Sequence, residues 1–304
     1  MAEMRYGLSS RSFRSHRFRR TGALLASACA AAWFATGVPA RAAGAQGGDQ
    51  KIDVALVLAV DVSWSMDTEE QRIQRDGYAA AFRSKEVIDA IREGGYGRVA
   101  VTYVEWAGST MQLVVVPWTI IDDEAGSQRF ADALSMQEPA QLRRTSISGA
   151  IDFSSKLLDK TGMTPMRRVI DISGDGPNNE GRPVTEARDE AVARGITING
   201  LPLMTSARDG FGYSIENLDD YYGDCVVGGG QSFVIPVTSW KEFPEAIRRK
   251  LVLELAGTPT ERAAYRAPHD FPVIEVADEN AGKAGADCMI GEKIWRKRWE
   301  RWNQ

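Results

Sequence analysis

The sequence feature that most constrains the fold is an alternation of apolar runs with segments long enough to form helices. Six runs are rich in Val, Ile and Leu, and they lie at residues 54–60, 98–106, 112–118, 168–173, 197–203 and 232–237. Nearly continuous apolar residues are typical of strands that are covered on both faces. Only "AGSTM" separates the second run from the third, so these two are predicted to pair antiparallel, with the third strand at an edge.

The longer connections predict helices. Helical patterns lie at residues 67–84, 148–158, 183–194, 215–222 and 240–255. The first of them opens with an Asp-x-x-Glu capping pattern, Asp67 with Glu70. The sequence therefore predicts an α/β fold with a doubly wound, mostly parallel six-stranded sheet, one antiparallel edge strand and helices on both faces.

The ends of the chain differ in composition from this domain. Six arginines precede an uncharged run at 21–37, and Ala-Arg-Ala at 40–42 fits the small-x-small pattern of a cleavage site, so residues 1–42 are predicted to be a signal peptide. Residues 43–52 are interpreted as a flexible lead-in, 53–256 as the α/β domain and 257–304 as a C-terminal extension. A periplasmic or secreted location is expected.

Charge narrows the class of partner. The chain has 37 Lys and Arg against 41 Asp and Glu, and residues 1–42 hold seven of the basic residues and one of the acids. Removing that segment leaves 30 basic and 40 acidic residues, a net charge near −10. This balance argues against nucleic acid and anionic membrane as partners of the domain body, and it is compatible with a cation ligand.

Two features mark the C-terminal extension. In an oxidising compartment Cys225 and Cys288 are expected to form a disulfide that ties the extension to the domain, although two unrelated buried thiols are the alternative. Three tryptophans near the C-terminus, Trp295, Trp299 and Trp302, share one helical face among Lys and Arg residues. That face either contacts a membrane or a partner, or packs on the protein's own domain.

Oxygen-bearing side chains follow two of the predicted strands. Asp61, Ser63 and Ser65 come just after the first run, and Asp175 comes just after the fourth. Ligand sites in doubly wound sheets lie beyond the carboxyl ends of the strands. If the two strands are neighbours, the two carboxylates face each other, and a hard divalent cation would relieve their repulsion. Thr145, in a loop ahead of a helix, is a candidate for one more oxygen.

In this arrangement the sequence resembles the metal-ion-dependent adhesion site (MIDAS) of von Willebrand factor type A (vWA) domains. The resemblance covers about residues 53–255 and rests on Asp-x-Ser-x-Ser after the first strand, a threonine ahead of a helix, and Asp-Gly after a later strand. In "DVSWSM", "QRDGYAAAF", "DISGDGPNN", "YYGDCVVGG" and "RRKLVLELA" the chain is similar to a group of bacterial secreted vWA-like proteins of undefined function, DUF1194-like.

The resemblance implies a function and a ligand set. Ser63, Ser65 and Thr145 would ligate Mg²⁺, or Mn²⁺ or Ca²⁺, directly or through water, while Asp61 and Asp175 often act through waters. One coordination position would stay open for an acidic group of a partner. The expected function is divalent-cation-dependent, adhesion-type binding of a protein or other acidic ligand, without catalysis and without nucleic acid.

Several residues near the motif extend or depart from this pattern. Trp64 lies between the two serines, where the family commonly has a small residue. The predicted ligand rim consists of four residues, Trp64, Pro177, Asn178 and Asn179. Asp171 is unusual inside an apolar run, and it either pairs with a basic residue or faces a ligand.

Two other classes of function compete with this interpretation. Two aspartates and a cation could hydrolyse phosphate esters, although Ser63 occupies the position where dehalogenase-type phosphatases have a second aspartate. A serine hydrolase is disfavoured because the chain has no GxSxG, and His269 lies in the irregular C-terminal extension. In a structural domain with a vestigial site, the serines would cap the next helix and Asp175 would form a turn.

Overall fold

The computed structural model of the chain describes residues 50–136, 142–205, 214–256, 272–275 and 285–303. The predicted signal peptide, residues 43–49 of the lead-in and His269 lie outside the described residues. Within the described ranges, no helix combines the length and the apolar character that crossing a membrane requires.

A single mixed sheet forms the centre of the domain. Its strands are β1 (Gln50–Asp61), β2 (Val99–Trp106), β3 (Gln112–Ile121), β4 (Met163–Gly174), β5 (Ile196–Pro202), β6 (Phe233–Val234) and β7 (Ile274–Glu275). Their order across the sheet is β3-β2-β1-β4-β5-β6-β7. The pairs β1–β2, β1–β4, β4–β5 and β5–β6 are parallel, and β3 is antiparallel to β2 at one edge. This confirms the predicted doubly wound, mostly parallel sheet.

Three details of the sheet differ from the prediction. It has a seventh strand, because β7 pairs antiparallel with β6 and so makes the second edge antiparallel as well. The first strand starts at Gln50, so residues 50–52 belong to β1 and not to the flexible lead-in. The sixth strand is two residues long, although the Ile235 and Val237 N–H groups still donate to the Gly200 and Pro202 carbonyls of β5.

Eight α-helices lie in the described residues. They are α1 (Thr68–Phe82), α2 (Lys85–Arg92), α3 (Glu124–Ser135), α4 (Ile147–Asp159), α5 (Val184–Ala193), α6 (Leu218–Tyr221), α7 (Phe243–Leu255) and α8 (Ile290–Trp302), with a π-helical turn at Tyr222–Val226. The capping box of α1 is present, because Asp67 accepts from the Glu70 N–H and the Glu70 carboxylate accepts from the Asp67 N–H. The sequence interpretation did not single out α2 and α3.

Helices cover both faces of the sheet, as predicted. Side chains of a strand point alternately to opposite faces, so Leu56 and Leu58 of β1 pack in the layer formed with α1, α2, α3 and α7. Val57 and Ala59 pack in the opposite layer, with α4, α5 and α6. All four side chains are fully buried. This packing fixes β1 in the middle of the sheet and places the residues that follow it at the carboxyl edge.

Candidate metal centre

The two predicted aspartates meet at the carboxyl edge of the sheet. Strands β1 and β4 are neighbours, with Val60 opposite Ser173, so Asp61 and Asp175 come from adjacent strand ends. Both side chains are buried. The condition on which the sequence argument depended, that the two strands be adjacent, is therefore met.

A chain of hydrogen bonds joins four of the five predicted ligands. The Ser63 N–H donates to Asp61 Oδ1 at 2.7 Å, and the hydroxyl oxygens of Ser63 and Ser65 lie 3.0 Å apart. The Ser65 hydroxyl donates to Asp175 Oδ1 at 2.8 Å. Asp61, Ser63, Ser65 and Asp175 therefore form one connected cluster.

Thr145 lies in a third loop at the same edge. The Leu142 N–H donates to the Val62 carbonyl at 3.0 Å, which ties this loop to the end of β1. The Thr145 N–H donates to Asn179 Oδ1 at 3.1 Å, and the Thr145 carbonyl accepts from the Asn179 N–H at 2.9 Å. Thr145 is buried between the two other loops. Its backbone contacts hold it beside the cluster, and the hydrogen bonds of the described residues do not join its hydroxyl to the other four side chains.

The electrostatics of the cluster favour a cation. Burial raises the pKa of Asp61 well above its ordinary value, and the Asp175 carboxylate raises it further, while hydrogen bonds from Ser63 oppose the shift. Among the described residues, the buried Asp61 Oδ2 atom has no hydrogen-bond partner. By contrast, no group of three or more His, Cys, Asp or Glu in the described part of the chain could hold a metal ion. Two carboxylates and nearby hydroxyls are a donor set that fits a hard divalent ion, which takes oxygen ligands.

Tyr222 lies next to the cluster and was not predicted from the sequence. Tyr222 is fully buried, and burial followed by the charges of Asp61 and Asp175 raises its pKa above the ordinary value. A Cβ on Gly174 would lie 2.9 Å from the Tyr222 hydroxyl oxygen and 3.0 Å from Asp61 Oδ2. Gly174 therefore permits the close approach of these groups, and its place in "SGDG" is the sequence signal that could have indicated it.

The four residues of the predicted ligand rim differ in exposure. Trp64 is 61% exposed, whereas Pro177 and Asn178 are buried and Asn179 is half-buried. Asn178 Nδ2 donates to Glu292 Oε1 of α8 at 2.7 Å. A Cβ on the first turn of α8, at Gly291, would lie 2.0 Å from the Asn178 carbonyl oxygen. Helix α8 therefore covers Pro177 and Asn178, and the ligand rim stays a prediction.

A disulfide holds the C-terminal extension against the domain. Cys225 and Cys288 are bonded, with their Cα atoms 5.4 Å apart, which confirms the predicted pair. The Arg144 guanidinium carbon lies 3.7 Å from the centre of the Trp295 ring. Trp299 and Trp302 are 56% and 74% exposed. The tryptophan stripe is therefore divided, with one residue packed on the domain and two open to solvent.

Asp171 pairs with a basic residue in the interior. Lys250 Nζ of α7 lies 2.8 Å from Asp171 Oδ1, and it also contacts Glu254. The Tyr78 hydroxyl donates to Asp171 Oδ2 at 3.4 Å. Burial and the Glu254 charge raise the pKa of Asp171 to about 7, although Lys250 opposes the shift. Of the two alternatives left open by the sequence, the ion pair is the observed one.

Solved structures with a related fold belong to several proteins. One is described as von Willebrand factor type A from Catenulispora acidiphila, with 12% identity, a TM-score of 0.48, and coverage of 67% of this chain and 43% of that one. A second is the pilus adhesin SpaC from Lactobacillus rhamnosus GG, with 13% identity, a TM-score of 0.49, and coverage of 68% and 32%. A third is proximal thread matrix protein 1 from the mussel byssus, described with a zinc-occupied MIDAS motif, with 14% identity, a TM-score of 0.48, and coverage of 69% and 49%.

The alignments span less than half the length of each of these three proteins, and at these identities the likeness concerns the fold alone. None of the curated proteins matches the chain. The family model described as "Protein of unknown function (DUF1194)" matches residues 51–259, which is more than half of the chain, and the protein belongs to that family.

Proposed function

We propose that the protein binds an acidic partner through a divalent cation at the carboxyl edge of the sheet. The proposed ligands are the five residues of the sequence motif, Asp61, Ser63, Ser65, Thr145 and Asp175. The observation that carries this proposal is the state of Asp61, whose carboxylate is buried beside that of Asp175 and whose Oδ2 atom meets no positively charged group among the described residues, since the contacts that lower its pKa are hydrogen bonds from Ser63 and the Asp175 backbone. A cation would supply the positive charge that this oxygen lacks.

Magnesium is the ion that we propose first, with manganese or calcium as alternatives. Carboxylates, hydroxyls and waters are the oxygen donors that such ions take. When bound, the cation would offer a coordination position to a carboxylate of the partner. The chain's own residues would hold the ion and keep Asp61 away from bulk water. The hydrogen bonds from Ser63 and Ser65 would orient the carboxylates of Asp61 and Asp175 toward it.

We propose that this activity is binding and not catalysis. The Ser63 hydroxyl lies 3.0 Å from the Ser65 hydroxyl, at the position where dehalogenase-type phosphatases have a second aspartate. A metal-dependent hydrolase of phosphate esters and a structural domain with a vestigial site are the rival functions. Turnover of p-nitrophenyl phosphate that Asp61→Ala removes would support the hydrolase, and a partner affinity that Asp61→Ala leaves unchanged would support the vestigial site.

We further propose that the protein works in the periplasm or outside the cell, and that the end of α8 takes part in partner contact. The Cys225–Cys288 disulfide is compatible with an oxidising compartment. Trp299 and Trp302 are exposed on a helix that also carries exposed Arg296 and Arg301. Exposed aromatic side chains next to cations favour contact with an anionic partner.

Surface plasmon resonance on immobilised poly-L-aspartate tests the proposed function. Wild-type protein is expected to bind in magnesium and to lose that binding in EDTA. The chelator removes the ion that links the carboxylates of the protein to those of poly-L-aspartate. Asp61→Ala should behave in magnesium as the wild type does in EDTA. Asp89→Ala, at a half-buried acid of a surface ion pair in α2, is the control that keeps the binding. Equal wild-type affinity with and without EDTA would refute cation-dependent binding.

A further inference from the structure

Two arginines stand next to the candidate metal centre, each stacked on a tryptophan. The Arg143 guanidinium carbon lies 4.5 Å from the centre of the Trp64 ring, and that of Arg144 lies 3.7 Å from the Trp295 ring. Trp64 is the residue between the two candidate serine ligands, and Arg144 immediately precedes Thr145. Arg143 thus contacts a residue of the motif, and Arg144 is bonded to a candidate ligand, so both arginines border the centre.

The backbone of Arg144 is in an unfavourable conformation. Its φ is +75°, and in the described part of the chain Gln231 is the other non-glycine residue with positive φ. The left-handed region costs free energy for a side chain with a Cβ, and such residues concentrate at binding sites. The following residues hold this turn in place, since Thr145 is hydrogen-bonded to Asn179 and the Ser146 N–H donates to the Ala107 carbonyl at 2.7 Å. An arginine occupies a position where a glycine would avoid the strain.

The hydrogen-bond donors of both guanidinium groups are available to a ligand. Arg144 is one-third exposed, and its Nε atom is 4.0 Å from Glu180 Oε1, at the outer limit of an ion pair. Glu180 Oε2 already accepts from the Ser109 N–H at 2.8 Å. Arg143 is exposed. Stacking occupies the flat face of a guanidinium and leaves the N–H groups at its edge free to bind a carboxylate with two bonds.

We infer that Arg143 and Arg144 form an anion-binding subsite next to the candidate cation centre, and that the partner carries a run of neighbouring acidic groups. One acidic group would bond the cation, and another would bond the two guanidinium groups. This inference rests on the proposed cation-dependent binding and specifies its ligand class as a polyacidic segment. Local positive charge on a chain whose net charge is −4, and near −10 without residues 1–42, would select such a segment and orient it on approach.

The C-terminal helix contributes to this subsite. Trp295 supplies the surface on which Arg144 stacks, and the Cys225–Cys288 disulfide together with the Asn178–Glu292 hydrogen bond fixes the helix there. Trp295 is therefore a positioning residue, which acts on the ligand through Arg144. On this account the extension is part of the binding surface and not a separate appendage.

Fluorescence anisotropy with two labelled peptides tests the inference. The probes are hexaaspartate and a hexapeptide with one aspartate among five glycines, both in magnesium. Wild-type protein is expected to bind hexaaspartate about tenfold more tightly or better, because charge-assisted hydrogen bonds to the arginines add to the contact with the ion. Arg143→Gln with Arg144→Gln should remove this preference and leave the affinities for magnesium and for the single-aspartate peptide unchanged.

Two further variants separate a local effect from a general one. Lys156→Gln with Lys160→Gln removes the same charge from exposed positions at the end of α4, away from the proposed surface, and should keep the preference. Trp295→Ala should weaken hexaaspartate binding severalfold, and Trp295→Phe should restore it, because an aromatic ring again supports Arg144. A role of Trp295 in folding alone would also change the affinity for the single-aspartate peptide.

The outcomes distinguish this inference from the proposed function. If the arginine double variant keeps the hexaaspartate preference, or if the wild type shows no preference, the arginine subsite is refuted while cation-dependent binding stands. If EDTA leaves hexaaspartate binding unchanged and the arginine variant loses it, the proposed function fails and the arginine subsite remains. Loss of the preference in the Lys156 and Lys160 control would also refute the inference, since net charge would then be sufficient.

Discussion

Two clusters of buried acids lie on the same sheet and are neutralised in different ways. In the interior, Asp171 of β4 and Glu254 of α7 share the ammonium group of Lys250. At the carboxyl edge, four residues further along the chain from Asp171, Asp175 faces Asp61, and Asp61 has no ion pair among the described residues. The interior cluster contains its own cation, whereas Asp61 of the edge cluster has none among the described residues.

The difference follows from access to solvent. Lys250 and Glu254 are completely buried on the inner face of α7, so an ion from solution has no route to them. Burying a charge without a partner is costly, and the chain therefore supplies the ammonium group itself. The edge cluster includes the half-buried Ser65 and is next to the exposed Trp64, so an ion and a ligand can approach it from solvent. A buried carboxylate that lacks an internal cation at such an edge is thus the better indicator of a binding site.

Removing the interior cation should have the largest effect. Lys250→Met leaves Asp171 and Glu254 buried without their counter-charge, and it is expected to lower the free energy of unfolding by about 3–5 kcal/mol. Urea denaturation measures this loss. Lys85→Met is the matched control, because Lys85 forms an ion pair of the same i,i+4 spacing with Asp89 at the surface, and it should change stability by at most about 0.5 kcal/mol. Similar losses in both variants would remove the distinction between the two clusters.

The interior cluster should also make stability depend on pH. The pKa of Asp171 is raised from 3.8 to about 7, so the folded state holds a proton that the unfolded state releases at lower pH. The stabilisation that this bound proton gives is complete below pH 3.8 and is lost as the pH rises toward 7. The free energy of unfolding should fall by at most about 1.4 kcal/mol for each pH unit in this window. Asp171→Asn should flatten the dependence in this window in urea titrations, and Asp89→Asn should not. An equal slope in the wild type and Asp171→Asn would contradict the assignment.

A divalent cation should stabilise the edge cluster selectively. An ion that binds the folded state alone adds about 2.7 kcal/mol to the free energy of unfolding when its concentration is 100 times Kd. Thermal unfolding in magnesium against EDTA is expected to show this gain in wild-type protein and its absence in Asp61→Ala. Asp171→Asn should retain the response, since its cluster is closed to the ion. A magnesium response that depends on Asp171 and not on Asp61 would reverse the comparison.

The smallest effect is expected from a single hydroxyl of the edge cluster. Ser65→Ala removes the 2.8 Å hydrogen bond to Asp175 and should cost about 1 kcal/mol of stability in EDTA. It should also weaken magnesium binding, because the variant lacks one oxygen of the proposed shell. Ser135→Ala, whose hydroxyl bonds a backbone carbonyl within α3, is the control for stability and should leave magnesium binding unchanged. An unchanged magnesium affinity in Ser65→Ala would remove Ser65 from the ligand set.

Local sequence patterns predicted the sheet and the edge cluster because both depend on the order of the apolar runs. Six such runs correspond to β1 through β6, and the adjacency of β1 and β4 was enough to bring Asp61 and Asp175 together. A short strand at residues 271–276 could be suggested from the sequence, but its pairing with β6 is a tertiary contact between distant segments that the sequence does not indicate. The helix α2 was missed because it begins three residues after α1 ends, within the same connection.

Long-range contacts account for the rest of what the sequence could not show. Asp171 and Lys250 are 79 residues apart, so the sequence raised the possibility of a basic partner without identifying it. The covering of Asn178 by Gly291 depends on where the disulfide-linked tail docks. The stacking of Arg144 on Trp295 has the same origin. These contacts form when distant segments of the chain pack together. Residue type and spacing along the sequence carry little information about such packing.

Isothermal titration of magnesium and manganese into chelator-stripped protein tests the central claim most directly. The account predicts that about one ion binds the wild type and that the Asp61→Ala, Asp175→Ala double variant binds none, while Asp171→Asn binds as the wild type does. Absence of binding in the wild type, or binding that survives in the double variant, would contradict the claim that the edge cluster is a cation site.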